Sequence, residues 1–231
     1  MEKIISSLDA AGYLYLNPRK LQTNSVVNPR NTLIDKSVRA FGFLPNIGEL
    51  KPGDLLLFCS LKEKYLSKLI QSTQQSGHAL IDSCWSHAAV YTGDEFTVCD
   101  SRIEKNIFNS GVKVRNIFPY IGNHLIRVRR PNLERDDQWR MVVNAMADIG
   151  ARYSFLSAFK IFLQGLKAKE NTSSSRICSQ LYAEAYLKTT AVMIANYRQR
   201  NAITPASLSS SLKLTDVPVT WSRIDSSQAA G

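Results

Sequence analysis

Apolar and polar positions along the chain repeat with two different periods, and the switches between them mark the predicted elements. Leu55 to Cys59 is a continuous apolar run bounded by the turn Pro52-Gly53-Asp54, the pattern of a strand buried on both faces. Tyr65-Leu66-Ser67-Lys68-Leu69-Ile70 has helical spacing instead. His87 to Tyr91 and Phe96 to Asp100 read as two strands joined by Thr92-Gly93-Asp94-Glu95, whose Gly-Asp pair suits a tight hairpin turn. Two more strands are predicted around Val112 to Asn116 and Leu125 to Val128. Asp136-Asp137, followed by Trp139, Val142, Val143, Ala145, Met146 and Ile149, signals the start and the apolar face of a helix that stops at Gly150. A second apolar helical segment is expected from Phe155 to Leu166, and the polar, Ser-rich stretch 167–175 reads as a loop. Cys178 then opens a helix on which Leu181, Tyr182, Ala185 and Tyr186 share one face, with Ser173, Ser174 and Ser175 as expected N-caps. Residues 1–48, punctuated by Asn17-Pro18, Asn28-Pro29 and Leu44-Pro45-Asn46, predict an irregular extension, and residues 49–231 the folded domain. Strands that precede and interleave with helices in this way place the domain in the α+β class.

Composition narrows the classes of function. A chain of 231 residues, 44% hydrophobic, is long enough to bury a core of its own. No run of about 18 apolar residues occurs, so nothing is expected to span a bilayer, and the first residues lack the apolar stretch of a secretory signal. The expected location is the cytoplasm, or outside the cell by a route needing no classical signal peptide. Cys59, Cys84, Cys99 and Cys178 form no C-x-x-C pair, and His78, His87 and His124 are the only histidines, which argues for reduced thiols and against a metal site or other cofactor. A net charge of +10 favours an anionic partner, such as a cell-wall polymer, an acidic peptide or a phospholipid surface touched peripherally. Specific nucleic-acid recognition is not expected, since no helix-turn-helix, zinc-finger or RNP-type motif accompanies the charge.

The candidate chemistry lies in two separated segments. Trp85-Ser86-His87-Ala88-Ala89-Val90-Tyr91-Thr92-Gly93 places a histidine at the head of an apolar strand, and Arg176-Ile177-Cys178-Ser179-Gln180-Leu181-Tyr182 places a cysteine at the head of an amphipathic helix. These are the two halves of a thiol-imidazole pair. A helix N-terminus and a neighbouring imidazolium can bring a thiol from a pKa of about 8.5 to roughly 3.5–7.5, into the range where the nucleophilic thiolate is populated. His78 and His124, beside Gly77 and Asn123, read as solvated loop residues.

Histidine before cysteine is the reverse of the order in papain. Together with the upstream Lys51-Pro52-Gly53-Asp54-Leu55-Leu56-Leu57-Phe58, that order resembles the circularly permuted papain-like NlpC/P60 hydrolases of the YiiX/YebB-like group, distant relatives of the lecithin:retinol acyltransferases. The resemblance covers about residues 50–215, and Thr204-Pro205-Ala206-Ser207-Leu208 is similar to the family's closing motif. It implies an antiparallel sheet packed on the helix that bears the cysteine, with Cys178 as nucleophile and His87 as base and acid. The family's third polar residue, which orients the imidazole, belongs on the strand after the histidine strand. A gapless match places Cys99 there, an offset of one residue places Asp100, and Glu104 lies just beyond; a carboxylate suits the role best, so Asp100 is preferred. Tyr153 resembles a cleft-lining tyrosine of the family, and Trp85 and Ser86 flank the base as candidate substrate-binding residues. The implied activity is cysteine-dependent hydrolysis of an amide of peptide, isopeptide or cell-wall type. The alternatives are a lipid acyl hydrolase or acyltransferase at a membrane surface, and a non-catalytic binding or effector module on the same fold.

Overall fold

The strand around which everything else is arranged is β3 (Leu55–Ser60), all six residues of which are buried. In this computed structural model, which describes residues 26–27, 34–61, 65–75, 77–104, 110–152, 177–195 and 203–224, β3 lies inside a six-stranded sheet. The other strands are β4 (His87–Tyr91), β5 (Thr97–Arg102), β6 (Gly111–Asn116), β7 (His124–Pro131) and β8 (Leu214–Asp216), in the order β6-β5-β4-β3-β7-β8 with every neighbouring pair antiparallel. A smaller sheet joins β1 (Val26–Val27) and β2 (Phe43–Pro45) to the two sides of β9 (Trp221–Ile224).

Because side chains alternate across a strand, β3 feeds two cores. Leu55, Leu57 and Cys59 join a first cluster with Met141, Val142 and Ala145 of α4 (Arg135–Met146) and Leu181, Tyr182, Ala185 and Tyr186 of α5 (Cys178–Thr190). Leu56 and Phe58 join a second cluster with Val38 of α1 (Lys36–Phe41), Leu44 of β2, and Trp221 and Ile224 of β9. The helices α2 (Tyr65–Gln75), α3 (Leu80–Ser83) and α6 (Pro205–Ser209) gather at one side of the large sheet through Gln74, a buried amide. Its Nε2 donates to the carbonyls of Ser83 and Trp85 at 3.2 and 2.9 Å, and its Oε1 accepts from Ala206 N–H at 2.9 Å. The backbone approach to β4 is fixed by those bonds.

Several expectations are corrected by the structure. Residues 34–49 are regular rather than irregular: Asp35 caps α1 by accepting from Ser37 N–H at 2.7 Å, and Gly42 ends it in the left-handed conformation. That N-cap signal sits among the prolines and asparagines that suggested a loop, and β2 then pairs with the far end of the chain, which no local pattern announces. The expected tight hairpin is a five-residue turn, 92–96, in which Gly93 and Glu95 both take positive φ and β5 starts at Thr97. Ser173, Ser174 and Ser175, expected as N-caps of α5, lie outside the described residues, and the N-cap position is held by Ile177 with no side-chain capping bond. His124 is not a solvated loop residue but begins β7, against the rings of Phe58 and Tyr120. The segment expected as a helix from Phe155 to Leu166 lies outside the described residues.

A polar contact in the first core ties α5 to the turn ahead of β3. The hydroxyl of Tyr182, completely buried, donates to Gly53 O at 3.1 Å. Next to it the buried carboxylate of Asp54 accepts from Arg130 at 2.8 and 2.7 Å and from Lys51 N–H at 2.8 Å. Replacing Tyr182 by Phe removes only the donor and leaves Gly53 O buried, which costs about 1–3 kcal/mol. Urea unfolding of Tyr182→Phe is expected to show that loss with an unchanged m-value, because the surface exposed on unfolding is the same.

Candidate active site

β4 begins at the boundary between the two cores. Ala88 and Val90 belong to the first, under α5, whereas Ala89 and Tyr91 belong to the second. By the same alternation His87 shares the second face, and its register partner on β3 is Phe58 of that face. Cys178 arrives from the first core as the opening residue of α5. The two side chains meet around the end of the strand, where the thiol, the His87 imidazole and the Ala88 backbone N–H lie close enough to act on one another's charge. Cys178 is 8% exposed and the His87 side chain 16%, so the pair is largely buried but still open to solvent on one side.

One ring nitrogen of His87 is taken by Asp100. Nε2 lies 2.9 Å from Asp100 Oδ2, which leaves Nδ1 as the ring nitrogen that Asp100 does not use. The register of β4 with β5, Ala89 opposite Asp100 and Val90 opposite Cys99, puts Asp100 on the His87 face and Cys99 on the other. Cys99 accordingly points toward α4, its thiol 3.7 Å from Ala145 O, and burial followed by the Asp100 charge pushes it up to about 12. Glu104 binds Arg115 and Arg102 instead of His87. Of the three positions the sequence left open, only Asp100 touches the imidazole.

Asp100 itself is completely buried and surrounded by donors. Tyr120, in the 3-10 turn Phe118–Tyr120, donates its hydroxyl to Oδ2 at 3.0 Å, and Arg115 of β6 makes a very short ion pair with Oδ1. The Tyr120 ring stacks on Phe58 with centroids 4.0 Å apart and lies nearly parallel to His87 at 5.6 Å, so the imidazole plane is fixed by packing as well as by its bond to Asp100. Arg115 and Tyr120 went unseen in the sequence. The only hint was an arginine on the alternating strand predicted around Val112 to Asn116, and Phe118-Pro119-Tyr120 carries no motif.

The charges of these groups are set by competition between burial and partners. Burial works against the protonated form of His87, but the Tyr120 oxygen, the Cys178 sulfur and the Asp100 carboxylate prevail, and its pKa is raised well above the ordinary histidine value. Burial likewise works against a Cys178 thiolate, yet the His87 charge and the bonds from His87 and Ala88 hold the thiol below its usual range, with Asp100 pulling the other way. Asp100 ends below the usual carboxylate range because His87, Arg115 and Tyr120 together outweigh its burial. Both shifts favour the thiolate and imidazolium forms of the pair. Cys59 and Cys84 are free and buried, and the proximity of the Cys59 thiol, followed by burial, raises the Cys84 thiol.

Trp85 and Ser86, expected to border the cleft, are both buried: Trp85 fills the first core, and Ser86 is held by its N–H to Phe58 O at 3.0 Å. Tyr153 lies outside the described residues. Among the described residues no helix is long and apolar enough to cross a membrane, and no three His, Cys, Asp or Glu side chains group so as to hold a metal ion.

No family model matches the chain, and no curated protein matches it. Among solved structures it is similar to the crystal structure of the metalloprotein YiiX from Escherichia coli O157:H7. The likeness has a TM-score of 0.53 at 14% identity and covers 73% of this chain and 97% of that one, which establishes a YiiX-like α+β fold.

Substituting Asp100 by Asn removes one member of a buried ion pair and is expected to cost about 3 kcal/mol at neutral pH. Since the folded-state pKa of Asp100 is below its unfolded value of about 3.9, this stabilisation is complete above that pH and lost as pH falls through the folded value. Denaturation curves of wild type and Asp100→Asn should thus be well separated at pH 7 and converge in acid.

Proposed function

We propose that the protein is a cysteine hydrolase of the permuted papain-like type that cleaves an amide bond through an acyl-thioester. The observation that carries this reading is the His87 imidazole, bound through Nε2 to the buried Asp100 and near enough to the Cys178 thiol for each to shift the other's charge. A thiol-imidazole pair oriented by a carboxylate is the arrangement that makes a cysteine nucleophilic near neutral pH.

In this reading the Cys178 thiolate attacks the carbonyl carbon. The N–H groups of the first turn of α5, which have no acceptor within the helix, supply donors for the developing oxyanion. His87, in the imidazolium form that its raised pKa favours, gives its proton to the leaving amine as the C–N bond breaks, leaving the acyl group on Cys178. The neutral imidazole then takes a proton from water, whose oxygen attacks the thioester, and Cys178 leaves as thiolate while the acid is released. Asp100 keeps the ring in one orientation throughout. The net charge of +10 suits an anionic peptide or cell-wall polymer as substrate. YiiX is described as a metalloprotein, but the donors here do not suit a metal: Asp100 is already paired with the Arg115 cation, and no step is assigned to one.

A second reading, acyl transfer or lipid hydrolysis at a membrane, is favoured by the exposed apolar side chains of Trp139 (44%), Val143 (64%) and Ile149 (48%), which follow one another along and just beyond α4. Intact-mass trapping with panels of peptide amides and phospholipid esters separates the two. An acyl adduct on Cys178 from amide donors, absent in Cys178→Ser, is the expected result. Adducts from lipid esters alone would move the assignment to the second reading. In either case His87→Ala is expected to slow Cys178 acylation by at least about a hundredfold, as loss of a general acid-base does.

A further inference from the structure

We infer that Arg115 is a positioning residue of the Cys178–His87 pair, holding Asp100 as an electrically balanced carboxylate that aims the imidazole without burdening the neighbouring thiolate. The inference rests on the hydrolase reading above and adds to it a residue outside the thiol, imidazole and carboxylate.

The carboxylate divides its two oxygens between separate tasks. Oδ2 faces the site, where it meets His87 Nε2 at 2.9 Å and the Tyr120 hydroxyl at 3.0 Å. Oδ1 is turned away and belongs to Arg115, whose Nη1 also reaches Asp100 O at 3.3 Å. The rest of the guanidinium is tied down: Nε and Nη2 donate to Glu104 Oε1 at 3.2 and 3.1 Å, and Nη2 donates to Gly111 O at 3.3 Å. Arg102 closes the row, 3.4 Å from the same Glu104 oxygen. Charge thus alternates from His87 through Asp100, Arg115 and Glu104 to Arg102. Asp100 with Arg115 sums to zero, and so does Glu104 with Arg102.

The balance matters because a lone carboxylate in this place would act on both members of the pair. It would stabilise the imidazolium, which is useful, and repel the Cys178 thiolate, which is not; both effects are strong where water is excluded. A guanidinium against the far oxygen offsets the repulsion and leaves the near oxygen free to accept the imidazole N–H. Its fork geometry also fixes the rotation of the carboxylate, which an ammonium does less well. The groups that face Asp100 are His87 from β4, Arg102 and Glu104 from the end of β5 and just beyond it, Arg115 from β6, Tyr120 from its turn and Cys178 from α5, and of these Arg115 is the cation in direct contact with Oδ1.

The test is the pH profile of Cys178 carboxymethylation, read by peptide mapping, in wild type, Arg115→Gln, Arg115→Lys and Glu104→Gln. Arg115→Gln should move the Cys178 midpoint up by about one pH unit, roughly tenfold less thiolate at a fixed pH below it. Arg115→Lys, which keeps the charge, should stay near wild type, and Glu104→Gln, which leaves the guanidinium to Asp100 alone, should move the midpoint the opposite way. A purely structural Arg115 predicts lower stability with the midpoints unmoved, and that result, or a shift of the same sign in Arg115→Gln and Glu104→Gln, overturns the inference while the hydrolase reading stands. A wild-type Cys178 that ionises no lower than an ordinary thiol overturns both.

Discussion

The buried carboxylate of Asp100 is the group on which the arrangement of the site depends. It is completely excluded from water, and an isolated carboxylate in that position would be neutralised or expelled. It stays ionised because donors reach it from three elements, His87 from β4, Tyr120 from the turn before β7 and Arg115 from β6. Each of those bonds also does something for the fold. Arg115 draws β6 onto the end of β5, and Tyr120 carries its ring onto Phe58 and His87. The imidazole is therefore held by the same forces that close this end of the sheet, and its orientation cannot be disturbed without exposing a charge to an apolar core.

Thiol and imidazole come from opposite layers. His87 shares the face of Phe58 and Asp100, in the core covered by the small sheet, while Cys178 belongs to the core covered by α4 and α5. They meet because β4 starts at His87 and α5 starts at Cys178, so each side chain leaves the regular part of its element at the same end of the sheet. Apolar packing fixes both elements on β3, whose residues are shared by the two cores. Precision at the site is inherited from a strand with no exposed surface.

How much of this was legible follows from the range of the signals. The strands β3, β4 and β7 and the helix α5 are marked by local apolar pattern, and the histidine and cysteine stand at the heads of their elements, where composition and order reveal them. Residues 36–45 were read as irregular because prolines and asparagines surround a short helix whose stability comes from burying Val38 in the second core. The choice among Cys99, Asp100 and Glu104 turned on a single residue of register. The five-residue turn after β4, with Gly93 and Glu95 at positive φ, places Asp100 opposite Ala89 and so on the His87 face.

By itself, the sequence determined the α+β texture and singled out a candidate histidine and cysteine with the elements that begin with them, since these depend on the alternation of apolar residues and on neighbours in the chain. The tertiary structure alone decided which carboxylate lies against the imidazole, that Arg115 and Tyr120 hold that carboxylate, and that Trp85 is buried in the core. Those outcomes depend on cross-strand register and on contacts between residues distant in sequence, and a shift of one position on a strand reverses the face on which a side chain lies.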